Sequence, residues 1–99
     1  MRSGIPVKEL DSYARNFITE KGYGKNFGHG LGHGLGYDVH EIPAINERND
    51  FILQTNNIIT IEPGIYVEGL GGVRIEDDVV VKETGCEILN RSPKEFITI

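Results

Sequence analysis

The chain has 99 residues, 38% hydrophobic and 25% charged, which is enough apolar content for one small folded unit and too much for a disordered tail. Ten Lys and Arg stand against fifteen Asp and Glu, a net charge of −5. With no basic cluster, this excludes a binder of the nucleic-acid backbone.

Residues 5–21 read as one helix. Pro6 suits a first helical turn, and Val7, Leu10, Ala14, Phe17 and Ile18 follow the spacing of one apolar stripe. Gly22 then supplies a left-handed stop. Further on, Ile58 to Ile61 is β-branched, and Tyr66 and Val67 continue that run beyond Pro63-Gly64. Gly69-Leu70-Gly71-Gly72 is a turn cluster, Val73 to Val81 a second β-rich run, and Cys86 to Leu89 a third after Glu83-Thr84-Gly85. The pattern is α+β: one N-terminal helix followed by an antiparallel sheet. No apolar run approaches the ~20 residues of a membrane span, and no secretory leader is expected. Cys86 is alone, so no internal disulfide forms; a cytoplasmic protein without membrane partners is expected.

Gly is the most conspicuous residue type, at 13, and the three His all lie between His29 and His40. From Gly28 to Gly36 every second residue is Gly. Five glycines cannot hold a helix at about 1 kcal/mol each relative to Ala. As an extended strand the segment has one bare face, open to close approach by another backbone or a ligand. The other face carries His29, Leu31, His33, Leu35 and Tyr37. His29 and His33 are then ~13 Å apart, too far to share one metal ion. A flexible Gly loop with incidental His is the plain alternative. Phosphate-cradling loops are excluded because neither G-x-G-x-x-G nor G-x-x-x-x-G-K-[ST] fits, and His40-Glu41 lacks the second His of H-E-x-x-H, Ala44 standing there.

Glu62 and Glu76 each sit in an apolar β run. Alternation puts Thr60 with Glu62, and Arg74 with Glu76, on single faces. A hairpin centred on Gly69 sets Glu62 opposite Glu76, with Cβ atoms ~4.5–5.5 Å apart. Two such carboxylates repel unless a cation lies between them or one is protonated, which points to a metal site or an acid/base pair. A register slip by one residue instead turns one Glu to water. Arg74 reads as a salt-bridge partner, Asp77 and Asp78 as a solvated edge, Tyr13, Phe17, Phe51 and Tyr66 as core, and Cys86 as a small buried hydrophobe.

Three segments in this order, Gly-His-Gly-Leu-Gly-His-Gly-Leu-Gly-Tyr-Asp-Val-His-Glu-Ile-Pro (28–43), Thr-Ile-Glu-Pro-Gly-Ile-Tyr (60–66) and Gly-Gly-Val-Arg-Ile-Glu-Asp (71–77), resemble the C-terminal part of Xaa-Pro peptidases. These are the prolidase and aminopeptidase P group of pita-bread dinuclear metallopeptidases. The helix with Asp11, Ala14 and Arg15 and the turn at Thr84-Gly85-Cys86-Glu87 also look like this group. The resemblance implies the C-terminal half of a pita-bread (creatinase/aminopeptidase-like) fold, with residues 1–99 a portion of the catalytic domain of a longer parent.

The implied activity is hydrolysis of the peptide bond N-terminal to proline, with two divalent metal ions lowering the pKa of water and polarising the carbonyl. His33, Glu62 and Glu76 are the implied metal ligands, and Glu62 also moves the proton of the attacking water. His40 stands beside the substrate carbonyl, His29 near the proline side, and Arg74 behind the ligands or beside substrate. Manganese suits a mostly carboxylate set with one imidazole, with cobalt or zinc as alternatives. The implied partners are peptides with proline at the second position, in a homo-oligomer. The group's two further aspartate ligands, in an Asp-Gly … Ser-Asp stretch, have no counterpart in residues 1–99, so the isolated segment is expected to be inactive and to bind metal weakly. Methionine aminopeptidases share the Gly-His-Gly and Ile-Glu-Pro frame, but His29 and Arg-Ile-Glu-Asp look like the Xaa-Pro branch. Non-catalytic pita-bread modules that bind peptides lose ligands, whereas His33, Glu62 and Glu76 are all here.

Overall fold

A computed structural model describes residues 1–95. Helix α1 spans Val7–Glu20. It starts later than the expected residue 5, because Pro6 has ψ 138°, extended, and so caps the helix rather than lying in its first turn. At the other end Gly22 turns left-handed at φ 91°. Its N–H bonds the Thr19 carbonyl at 3.0 Å while the Tyr23 N–H reaches the Ile18 carbonyl at 3.1 Å, the paired closure that a glycine after a helix permits.

Val7 and Ile18 are buried, and Leu10 and Ala14 pack against the same core. Phe17 departs from the expected stripe and is 61% exposed. Asp11 takes a place on the buried side instead, fully enclosed. Tyr13 (66% exposed) and Tyr66 (41%) are likewise not core residues, whereas Phe51 does pack against the core.

Among the described residues seven strands follow: β1 Gly32–Gly34, β2 Glu41–Ile45, β3 Ile58–Ile61, β4 Gly64–Val67, β5 Gly71–Arg74, β6 Asp77–Val81 and β7 Cys86–Ile88. Five form an antiparallel sheet in the order β2-β1-β3-β6-β7, and β4-β5 is a separate two-stranded ribbon. Leu31, Ile45, Ile59, Val79 and Val81 bury one sheet face with Val7 and Ile18 of α1.

The expected single hairpin is thus split in two, and the cause is local. Pro63 has no N–H to give to a ladder, and the Glu62 N–H goes to the Leu31 carbonyl at 2.7 Å. Strand β2 was not foreseen; Pro43 within it, after a cis peptide bond, masks the run. The Gly28–Gly36 stretch is strand only at Gly32–Gly34, and Leu31, just before it, enters the core rather than sharing a face with His33.

The close approach expected of the glycines is real. A Cβ at Gly32 would land on the Thr60 carbonyl oxygen, and one at Gly34 on the Ile42 carbonyl.

Asp77 and Asp78 are not at an edge, since β7 covers β6 on its outer side. Cys86 is exposed, against expectation. Burial pushes the Asp77 carboxyl up, but a 2.8 Å hydrogen bond from Asn90 Nδ2 and the Lys94 ammonium at 3.1 Å outweigh it and hold it below the usual carboxylate range. A lowered carboxyl stabilises the fold above its unfolded value near pH 3.9, and the gain disappears as pH falls through the lower folded value. Asp77→Asn is therefore expected to unfold at lower urea than the parent at about pH 6 and at the same urea near pH 2. A gap of equal size at both pH values would show that Asp77 acts by packing alone.

Candidate metal centre

The register expected from Gly69 holds. Ile61 pairs with Asp77 at the end of one ladder and Gly64 with Arg74 at the end of the other. The same register runs through both, so Glu62 falls opposite Glu76 at the break between them. Thr60, Glu62, Arg74, Glu76 and Asp78 line one cavity of about 310 Å³, on the sheet face away from the core. Asp78 was missed there, although its place two residues after Glu76 is the alternation signal that finds it.

His33 and His40 close the same cavity. Their rings lie 4.5 Å apart, edge to face. His33 is held by its backbone, whose N–H donates to Thr60 Oγ1 at 3.1 Å. Thr60 is fully buried and so cannot swing away. The His33 ring is fixed as well. Nδ1 lies 2.8 Å from the Gly34 carbonyl, which can only accept, so Nδ1 carries the hydrogen.

The Nε2 lone pair is then left facing Glu62 Oε2 at 3.3 Å. An imidazole lone pair beside a carboxylate oxygen requires a proton or a metal cation between them. With Glu76 across the ladder break, the donors are one imidazole nitrogen and two carboxylates, a set suited to a hard divalent ion. Among the described residues no three His, Cys, Asp or Glu side chains close on one point. The chain therefore supplies a His–Glu pair and a second carboxylate on the same wall rather than a closed cage. Arg74 Nε stands 3.9 Å from Glu76 Oε2, both half exposed, the salt-bridge contact its sequence context indicates.

A second cavity of about 290 Å³ continues from this one past His33, Glu62 and Arg74 to His29. The His29 ring has both nitrogens engaged, Nδ1 with the Gly30 carbonyl at 2.7 Å and Nε2 with the Tyr66 hydroxyl at 3.0 Å. Tyr66 is thus a polar partner of a site histidine rather than a core residue. The predicted residues form one groove: His40, His33, Glu62, Glu76 and Arg74 at one end, His29 at the other.

The model of metallopeptidase family M24 matches residues 1–83, and the chain belongs to that family. Among curated relatives it is 48% identical over 96 residues to the Xaa-Pro dipeptidase of Pyrococcus horikoshii, covering 97% of this chain and 27% of that protein. It is 51% identical over 94 residues to an uncharacterized peptidase of Staphylococcus aureus, covering 95% of this chain and 27% of that one.

Two solved structures agree. The Xaa-Pro dipeptidase from Bacillus anthracis superposes with a TM-score of 0.96 at 48% identity, over 98% of this chain and 27% of its own. The X-Pro aminopeptidase from Thermotoga maritima does so with a TM-score of 0.92 at 60% identity, over 95% and 27%. The fold is accordingly the pita-bread part that the three sequence segments imply. A more distant X-prolyl aminopeptidase, from Caenorhabditis elegans, is described as a cytosolic enzyme with a di-nuclear active site; it matches at 35% identity with a TM-score of 0.68, over 81% of this chain and 13% of its own. The chain spans about a quarter of the length of the dipeptidase relatives. No described helix is long and apolar enough to cross a membrane.

Proposed function

We propose that the chain is the C-terminal portion of the catalytic domain of a cytoplasmic, homo-oligomeric Xaa-Pro peptidase, acting on peptides with proline at the second position. The observation that carries this is the His33 Nε2–Glu62 Oε2 contact at 3.3 Å, with Glu76 across the ladder break. The similarity to Xaa-Pro dipeptidases supports it.

His33, through Nε2, and the carboxylates of Glu62 and Glu76 would hold two divalent ions, manganese by donor type, with the remaining ligands supplied from outside residues 1–99. Bound there, the ions lower the pKa of a water and polarise the scissile carbonyl. Glu62 takes the proton of the attacking water and passes it to the proline nitrogen as the bond breaks. His40, at the same end of the groove, donates to the carbonyl oxygen as it gains charge. His29 meets the substrate on its proline side, at the far end of the groove. Arg74 faces Glu76 and fixes that carboxylate.

The whole protein with manganese is expected to cleave Ala-Pro and to leave Met-Ala intact, and residues 1–99 alone to cleave neither. Release of proline can be followed by amino-acid analysis. The opposite preference would select a methionine-aminopeptidase-like enzyme. Cleavage by the whole protein of neither dipeptide nor a longer peptide with proline second, with manganese, cobalt or zinc, would leave a peptide-binding module.

A further inference from the structure

Asp11 and Arg15 lie on α1, outside the His33–Glu62 cavity, and take no part in the chemistry above. Asp11 is nevertheless fully buried, which is unusual for a carboxylate unless it is paired. Its partner is Arg15, whose Nε and Nη2 donate to the two Asp11 oxygens at 2.8 and 3.2 Å. Glu47 stands further off, its Oε2 3.7 Å from Nε, and two further donors of the guanidinium go to the backbone. Nη1 reaches the Phe27 carbonyl and Nη2 the His29 carbonyl, each at 3.0 Å. Asp11 Oδ2 in turn accepts the Leu31 N–H at 3.1 Å. The backbone is therefore gripped at residues 27, 29 and 31, on both sides of His29 and at His29 itself.

A second path runs through the rings. The Arg15 guanidinium lies 4.3 Å over the centre of the Phe27 ring, and Phe27 meets the His29 ring edge-on at 5.2 Å between centroids. The hydrogen bond to Asp11 raises the Arg15 pKa further against the opposing effect of burial, so this cation is permanent. A segment with Gly at 28 and 30 has little stiffness of its own, and the position of His29 has to come from elsewhere.

We propose that Asp11 and Arg15 are positioning residues: their planar ion pair on α1 holds the Phe27–Leu31 backbone and thereby fixes where His29 stands in the groove and which of its ring nitrogens carries the hydrogen. A lysine cannot replace the arginine here. It supplies a point charge for Asp11 but not the fork that reaches two carbonyls while lying flat on Phe27. The functional consequence rests on the peptidase reading; the structural one does not.

The test uses the whole protein in two parts. In metal-free protein labelled with ¹⁵N-histidine, the His29 signals, assigned by their loss in His29→Ala, are expected to show a fixed Nδ1–H tautomer. Arg15→Lys should draw the two ring-nitrogen shifts toward their mean. Unchanged His29 shifts in Arg15→Lys would overturn the proposal. Should that variant not fold, Asp11→Asn, which keeps the side-chain shape, replaces it with the same expected shifts. In the second part, Arg15→Lys is expected to lower kcat/KM for Ala-Pro about tenfold in the parent and less than about twofold in a His29→Ala background. Equal losses in both backgrounds would mean a general structural effect and would also overturn it. If the unaltered protein cleaves neither Ala-Pro nor a longer peptide with proline second, the peptidase reading fails, and the tautomer measurement alone decides the role of the pair.

Discussion

Glu62→Gln in the whole protein is expected to lower kcat for Ala-Pro by about 10³-fold while leaving the fold intact. The amide has the size and shape of the carboxylate, so the β3–β4 break and the 2.7 Å bond from the Glu62 N–H to the Leu31 carbonyl survive. Two things are lost: the negative charge that with His33 Nε2 draws a cation, and the site that accepts the proton of water. General-base losses alone run to about 10²–10⁴-fold. Calorimetric titration with manganese separates the two contributions. Weaker metal binding in the variant identifies Glu62 as a ligand, whereas unchanged binding with low kcat would confine it to proton transfer. A variant with parental kcat would remove Glu62 from the site altogether.

Gly32→Ala is expected to have the largest effect on stability, a loss of about 3 kcal/mol or more, because no relaxation is available to it. The added methyl would meet the Thr60 carbonyl oxygen, which is backbone of the neighbouring strand in the centre of the sheet. β1 would have to move away from β3, breaking the His33 N–H to Thr60 Oγ1 bond on which the histidine depends. Urea unfolding of the whole protein measures the loss. Gly28→Ala is the control, since a Cβ there meets nothing within 4 Å. Equal midpoints for the two variants would mean that the strand spacing is looser than the packing shows.

Much of this was legible in the sequence, for identifiable reasons. The helix and its closure at Gly22 follow from periodicity and from the one residue type that accepts φ 91° without strain. The pairing of Glu62 with Glu76 follows from the glycine turn, because a tight turn fixes register and alternation then fixes faces. Four features were not legible. The Gly-rich segment has no side chains on one face to signal how far the strand extends, so only Gly32–Gly34 is strand and Leu31 turns inward. Strand β2 hides behind Pro43. Burial of Asp11 contradicts its polarity, and only its ion pair with Arg15, four residues on, explains it. Tyr66 was misjudged because a hydroxyl partner, His29 Nε2, lies far away in sequence.

The two ladders that share one register have a further consequence. Between Glu62 and Glu76 the chain works as a gauge: the facing of the two carboxylates is set by the glycine turn and by how many residues lie on either side of it, not by the apolar side chains of the ribbon. Val67 and Val73 are partly or largely exposed on the ribbon and can be exchanged over evolutionary time at little cost to the site. Length has no such freedom. An insertion of one residue that the Gly69–Gly71 turn cannot absorb as a bulge sends one carboxylate to the core side and leaves the other facing an empty wall. Change along this stretch should therefore accumulate as substitution, with indels confined to the tip of the ribbon.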